Sequence, residues 1–277
     1  MVKILLILIL LSSVTFSDTI ESDLLSKKIK SFVGESVYEN KRNFFDVIFE
    51  PQSSFFLNDK INVIKVVQTL KENGLLKLFF KTPKELTLHF KTSGSPIFFV
   101  KIMGDSLRNI GYYRYVTTSS NLSSSEFTWS IALTSEYATD PIVLQTQLKK
   151  VGCSIVEIYR KSATDWTYVV NMGQAILNLV QLENNKEVKL KHSLYAHWLN
   201  CSKIQKLQIK STRRNNWYPY IAYYDASLHL LKVIKEDKKS SRILLDIPKE
   251  AQYMKIADLY TLKNVKDELI LSPYGTR

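Results

Sequence analysis

Glycine and proline are scarce, at 8 and 7 residues in 277. That scarcity excludes collagen-like and low-complexity scaffolds. With 45% hydrophobic and 23% charged residues, the chain has apolar mass for one good core or two small ones, which excludes intrinsic disorder. Acidic residues are in deficit, 26 against 38 Lys and Arg, so a partner reached by long-range attraction is expected to be anionic. Missing altogether are a Gly-rich phosphate loop, a Gly-x-Ser-x-Gly elbow and a dinucleotide fingerprint. The histidines His89, His192, His197 and His229 are scattered, and no Cys/His/Asp cluster with ligand spacing surrounds them. Carboxylate pairs such as Glu236-Asp237 and Asp267-Glu268 stand in Lys-flanked polar turns, as solvated faces do. The sequence therefore implies no enzyme, no cofactor and no metal.

Long apolar runs are also missing, with one short exception at the start. Lys3 is followed by the unbroken Ile4–Leu11, and Thr15-Phe16-Ser17 places small residues before a potential cleavage point. Residues 1–17 read as a secretory signal peptide cleaved near Ser17/Asp18. The alternative, an uncleaved anchor, is short of the ~20 residues that span a bilayer. No Cys follows the run, which argues against a lipid anchor, and no membrane span is expected after cleavage. The expected location is periplasmic or secreted, and export disfavours nucleic acid as a partner despite a pI near 9.4.

A repeat organises the first part of the chain. Leu70-Lys71-Glu72-Asn73-Gly74, Leu107-Arg108-Asn109-Ile110-Gly111 and Leu148-Lys149-Lys150-Val151-Gly152 each follow an apolar pattern of helical period. Each reads as a helix closed by glycine, with starts at Asn58 or Asp59, at Ser95-Pro96 and at Asp140-Pro141. After each glycine the period falls to two. Strands are expected at Leu75–Lys81 and Glu85–Thr92, Tyr112–Thr118 and Glu126–Ser135, and Cys153–Lys161 and Trp166–Asn171, with an earlier strand at Phe44–Phe49. The series can be recut as βαβ/αββ, ferredoxin-like units. In layout it resembles the small α/β modules of periplasmic ring-building and assembly domains in bacterial envelope machines.

Beyond Asn171 the style changes to short strands joined by polar turns. They are Val188–Leu190, Lys206–Lys210, Tyr220–Tyr224, His229–Ile234, Ile243–Ile247, Tyr253–Ala257 and Leu269–Leu271. This spacing suggests an all-β sandwich. The order Trp217-Tyr218-Pro219-Tyr220-Ile221-Ala222-Tyr223-Tyr224-Asp225, then Ile247-Pro248, then Tyr253-Met254-Lys255-Ile256 resembles the last strands of galactose-binding-like jelly rolls, without implying any sugar-binding residue. The expected class is α+β: an N-terminal segment at 18–40, a repeated α/β domain at 41–172 and a jelly-roll-like β-sandwich at 173–277.

Two features suggest contacts. Lys189, Lys191, Lys203, Lys206, Lys210, Arg213 and Arg214 occur with no acidic residue among them, interleaved with Trp198, Trp217, Tyr218 and Tyr220. Lys203, Arg213, Arg214, Trp217 and Tyr218 form the candidate binding surface, aromatics stacking on sugars and cations meeting anions. The alternative is an ordinary half-exposed strand, because Lys206, Gln208 and Lys210 alternate with Leu207 and Ile209. Cys153 and Cys201 could be buried thiols or a disulfide, whose loop of about fifty residues would be worth roughly 4 kcal/mol. The function that fits best is a non-catalytic structural or adaptor protein contacting other envelope proteins. The alternative is a carbohydrate-binding protein using the β-sandwich on cell wall or another anionic glycan.

Overall fold

A computed structural model describes residues 21–277, so the expected signal peptide at 1–17 lies outside the described residues. The class is α+β, in two compact units divided between Ile176 and Leu177.

The first unit begins with α1 (described over 21–33), α2 (Glu35–Asn40) and α3 (Arg42–Ile48). Residues 44–49, expected as a strand, are mostly the helix α3. The reason is aromatic spacing: Phe45 and Phe49 lie four apart, one helical turn, with ring centroids 6.4 Å apart. Tyr38 and Phe55 extend this stack at 4.9 Å and 4.8 Å. A small hairpin, β1 (Phe56–Leu57) and β2 (Lys60–Ile61), follows. Its turn holds Asn58 and Asp59 with φ of 50° and 60°, so neither caps the next helix. Asn62 does, accepting from the Lys65 amide at 3.2 Å to start α4 (Val63–Glu72).

The remaining order is β3 (Phe79–Thr92), α5 (Pro96–Asn109), β4 (Val116–Leu122), β5 (Phe127–Tyr137), α6 (Pro141–Lys149), β6 (Ser154–Arg160) and β7 (Asp165–Asn171). The three repeat helices end alike. The amides of Leu75, Tyr112 and Cys153 donate to the carbonyls of Leu70, Leu107 and Leu148 at 2.8, 2.9 and 3.0 Å. That closure requires the left-handed glycine between them. The two strands expected around Thr82-Pro83-Lys84 are one strand, β3, whose register slips between Phe79 and Lys84. Proline is tolerated there because a bulge needs no ladder amide.

The sheet runs β4-β5-β3-β7-β6, with β3 and β7 parallel and the other pairs antiparallel. β3 is central and flanked by two hairpins. Leu86, Leu88 and Phe90, Trp129 and Ile131, and Trp166 and Tyr168 are buried on one face. Helices cover that face: Phe99 of α5 meets Phe127 edge-on at 6.2 Å, and Phe32 of α1 lies 6.3 Å from Trp166. The opposite face carries the alternate residues Thr87, His89 and Lys91.

The second unit is all strands apart from one short turn of helix. They are β8 (Val180–Gln181), β9 (Val188–Leu190), β10 (His197–Asn200), β11 (Ile204–Ser211), β12 (Pro219–Tyr224), β13 (Leu230–Lys235), β14 (Arg242–Asp246), β15 (Tyr253–Asp258) and β16 (Leu269–Thr276). They form two sheets, β13-β12-β15-β10-β8 and β14-β11-β16-β9. Leu199, Ile221, Met254 and Ile256 from the first join Ile204, Leu207, Ile209 and Leu271 from the second in one core. Pro273 lies inside β16, at a point where the neighbouring strand β9 has already ended.

Candidate binding surfaces

In the first unit, the start of β3, the end of β5 and the N-terminus of α6 frame a cleft of about 520 Å³. Its floor is apolar, from Leu76, Leu78, Ile110 and Val143. Phe79 and Tyr137 stand at its edge, 57% and 56% exposed, with ring centroids 5.2 Å apart. Lys71 of α4 and Asp140, the α6 cap, are ion-paired at the rim. Inside, the Tyr112 hydroxyl accepts from Thr139 Oγ1 at 3.2 Å and donates to the Tyr137 carbonyl at 3.3 Å. Burial pushes the Tyr112 phenol above its ordinary value, so it remains a neutral hydrogen-bonding group at physiological pH. Such a cleft can seat an apolar side chain against an aromatic wall. None of this was read from the sequence, because its residues come from three repeats and only the fold unites them.

A polar group on the open sheet face also escaped sequence reading. His89 of β3 places Nδ1 2.7 Å from Ser130 Oγ of β5 and Nε2 3.5 Å from Asp165 Oδ1 of β7. The three residue types are those of a hydrolytic triad. Ser130 is only 3% exposed, however, so its hydroxyl leaves no room for an acyl carbon. The arrangement can tie three strands together. Among the described residues, no group of three His, Cys, Asp or Glu side chains is placed to hold a metal ion.

The basic-aromatic candidate set is not a single surface. Lys203 precedes β11 whereas Arg213 and Arg214 follow it, and eight strand residues span about 26 Å at ~3.3 Å each. Trp217 is fully buried in the core and donates its indole N–H to the Ala257 carbonyl at 2.9 Å. It is therefore not a surface group, because a large ring beside a sandwich core gains more from burial than from solvent. Tyr218 is half-buried and meets Tyr260 edge-on at 5.0 Å. The basic run is also partly neutralised by distant strands, Lys189 by Glu268 at 3.4 Å and Lys206 by Asp246 at 3.8 Å. Arg213 and Arg214 remain exposed in their turn. The candidate disulfide is absent: Cys153 and Cys201 are free, buried thiols in different units.

The outer face of the five-stranded sheet gathers other members of the same sequence stretch. Trp198 of β10 pairs across to Lys255 of β15, which pairs in turn with Ala222 of β12. Tyr220 and Tyr224 flank Ala222 on the same side of β12. The Trp198 and Tyr224 rings lie 4.9 Å apart. Lys255 Nζ is 5.9 Å from the Trp198 ring centre and 5.8 Å from that of Tyr220, and Lys235 Nζ is 5.7 Å from Tyr220. The result is a half-buried aromatic platform with two ammonium groups held against its rings.

No family model matches the chain, and no curated protein matches it. Three chains of solved structures match. One is from a crystal structure of accessory secretory protein 1, 2 and 3 in Streptococcus pneumoniae, at 15% identity and a TM-score of 0.20. That match covers 28% of this chain and 55% of the other, so the chain spans about half the length of the protein it matches. Overlap this slight carries no structural or functional argument.

Proposed function

We propose that this is a non-catalytic, exported adaptor of the bacterial envelope, cleaved after residue 17, whose units present surfaces to other envelope proteins. The observation that carries the reading is the cleft beside Phe79 and Tyr137. An apolar floor, two exposed rings at the edge and an ion pair at the rim resemble the centre and rim of a protein interface, where aromatic residues are enriched. The finer fold reading belongs with it. The first unit is a ferredoxin-like variant in which β7 is inserted beside β3, and the second is a jelly-roll-like sandwich.

The test is capture of crosslinked neighbours from cells expressing a tagged copy, compared with a Tyr137→Ser, Val143→Glu variant. Val143 is 44% exposed, so the change alters the cleft without opening the core. The reading expects a defined set of envelope proteins that the variant loses. An unchanged set, or retention on purified cell wall with no protein neighbours, contradicts it.

A further inference from the structure

We infer that the outer face of the five-stranded sheet in the second unit is a binding site for a carboxylated glycan, a polymer of uronic-acid type. This inference concerns the second unit alone and stands apart from the cleft reading. The site consists of Trp198, Tyr220 and Tyr224 with Lys235 and Lys255.

Three observations converge. First, Trp198 and Tyr224 come from β10 and β12, yet their rings lie 4.9 Å apart across the Lys255 row, making one aromatic surface from two strands. Aromatic faces on a rigid sheet suit the apolar C–H face of a pyranose, and the sheet holds them with little loose rotamer freedom. Second, the face carries positive charge without internal compensation. Neither Lys235 nor Lys255 is paired with a carboxylate among the described residues, and both ammoniums rest against ring faces instead. The carboxylates at the ends of β12 and β15 are occupied elsewhere. Asp225 accepts from the Ser227 and His229 amides and faces the His229 ring, while Asp258 accepts from the Tyr218, Tyr260 and Thr261 amides. Third, the cations lie beside the rings, within 6 Å of their centres. An anion they meet should therefore be carried on the stacked sugar itself, as a uronic carboxylate is, and not on a distant linker. An exposed ammonium held near rings, with no carboxylate partner, gains a charge-assisted hydrogen bond when such a ligand arrives.

The experiment measures binding of the mature chain to polygalacturonate, to fully methyl-esterified polygalacturonate and to polyglutamate at low and moderate salt. The first should bind with salt-sensitive affinity, and the ester and polyglutamate should bind about tenfold or more weakly. Lys255→Met should lose about tenfold or more, and Lys255→Arg should keep most of the affinity. Lys210→Met, which removes the same charge from an exposed position on the four-stranded sheet, should change nothing. Circular dichroism and melting confirm that the variants are folded. The inference is overturned if the wild-type chain does not bind polygalacturonate at low salt. Equal binding of the ester or of polyglutamate overturns it also. So does a folded Lys255→Met variant that binds as the wild type does. The ester comparison uses the wild-type chain, so it decides the matter even if a variant misfolds.

Discussion

Gly152 approaches the turn after β7 so closely that a Cβ on it would stand 1.9 Å from the Gln174 carbonyl oxygen. Gly74 closes the equivalent helix at the same φ of 70°, with nothing within 4 Å of its added Cβ. The two positions separate backbone strain from steric conflict. Gly74→Ala should cost about 1–2 kcal/mol for the left-handed conformation alone. Gly152→Ala should cost at least ~2 kcal/mol more, because backbone must move. Urea unfolding of the two variants checks this, and equal losses would refute it.

Tyr223 is fully buried in the second core, and its hydroxyl has no hydrogen-bond partner among the described residues. An unsatisfied buried hydroxyl costs about 1–3 kcal/mol. Tyr223→Phe keeps the ring and removes the cost, so the melting temperature should rise. A clear fall would mean that the hydroxyl is satisfied in solution.

Burial raises the Cys153 thiol from 9.0 to about 11 and the Cys201 thiol to about 12. Folding therefore favours the protonated thiols. Their contribution to stability is complete below pH 9, the unfolded value, and declines as pH rises towards 11 and 12. Chemical unfolding between pH 7 and 11 should show this decline. In the native protein at pH 8 neither thiol should react with a thiol-specific reagent, and both should react after denaturation. A native chain without titratable thiols once unfolded would instead indicate a disulfide.

Trp217→Ala should destabilise the second unit by about 3–5 kcal/mol, as removal of a core aromatic does. The double variant Arg213→Glu, Arg214→Glu should shift stability by no more than about 0.5 kcal/mol per exposed site. Thermal melts of both variants distinguish a core role from a surface role for these neighbouring residues.

How far these features were legible depended on the range of the signal. The repeat helices could be read because their signals are local: Pro141 after Asp140, and a Leu four residues before each closing glycine. Most C-terminal strands were legible for the same reason, through alternation along β11, β12 and β15. β10 was missed because His197-Trp198-Leu199-Asn200 does not alternate apolar and polar residues, whereas the shorter β9, Val188-Lys189-Leu190, does. α3 was mistaken for a strand because two adjacent phenylalanines obscured the four-residue spacing of Phe45 and Phe49. The surfaces were less legible still. The basic-aromatic stretch contained Trp198 and Tyr220 of the platform, but local sequence could not say that Trp217 turns inward while Lys255 arrives from a later strand.

The central claim is that the first-unit cleft receives a protein partner. The most direct measurement is photo-crosslinking in living cells with a benzophenone side chain placed at position 137, at the cleft edge, and separately at position 244, where Leu244 is 60% exposed in the second unit. The account expects a discrete protein adduct from position 137 that is lost with Val143→Glu and is not formed from position 244. No adduct from position 137, or the same adducts from both positions, would contradict it.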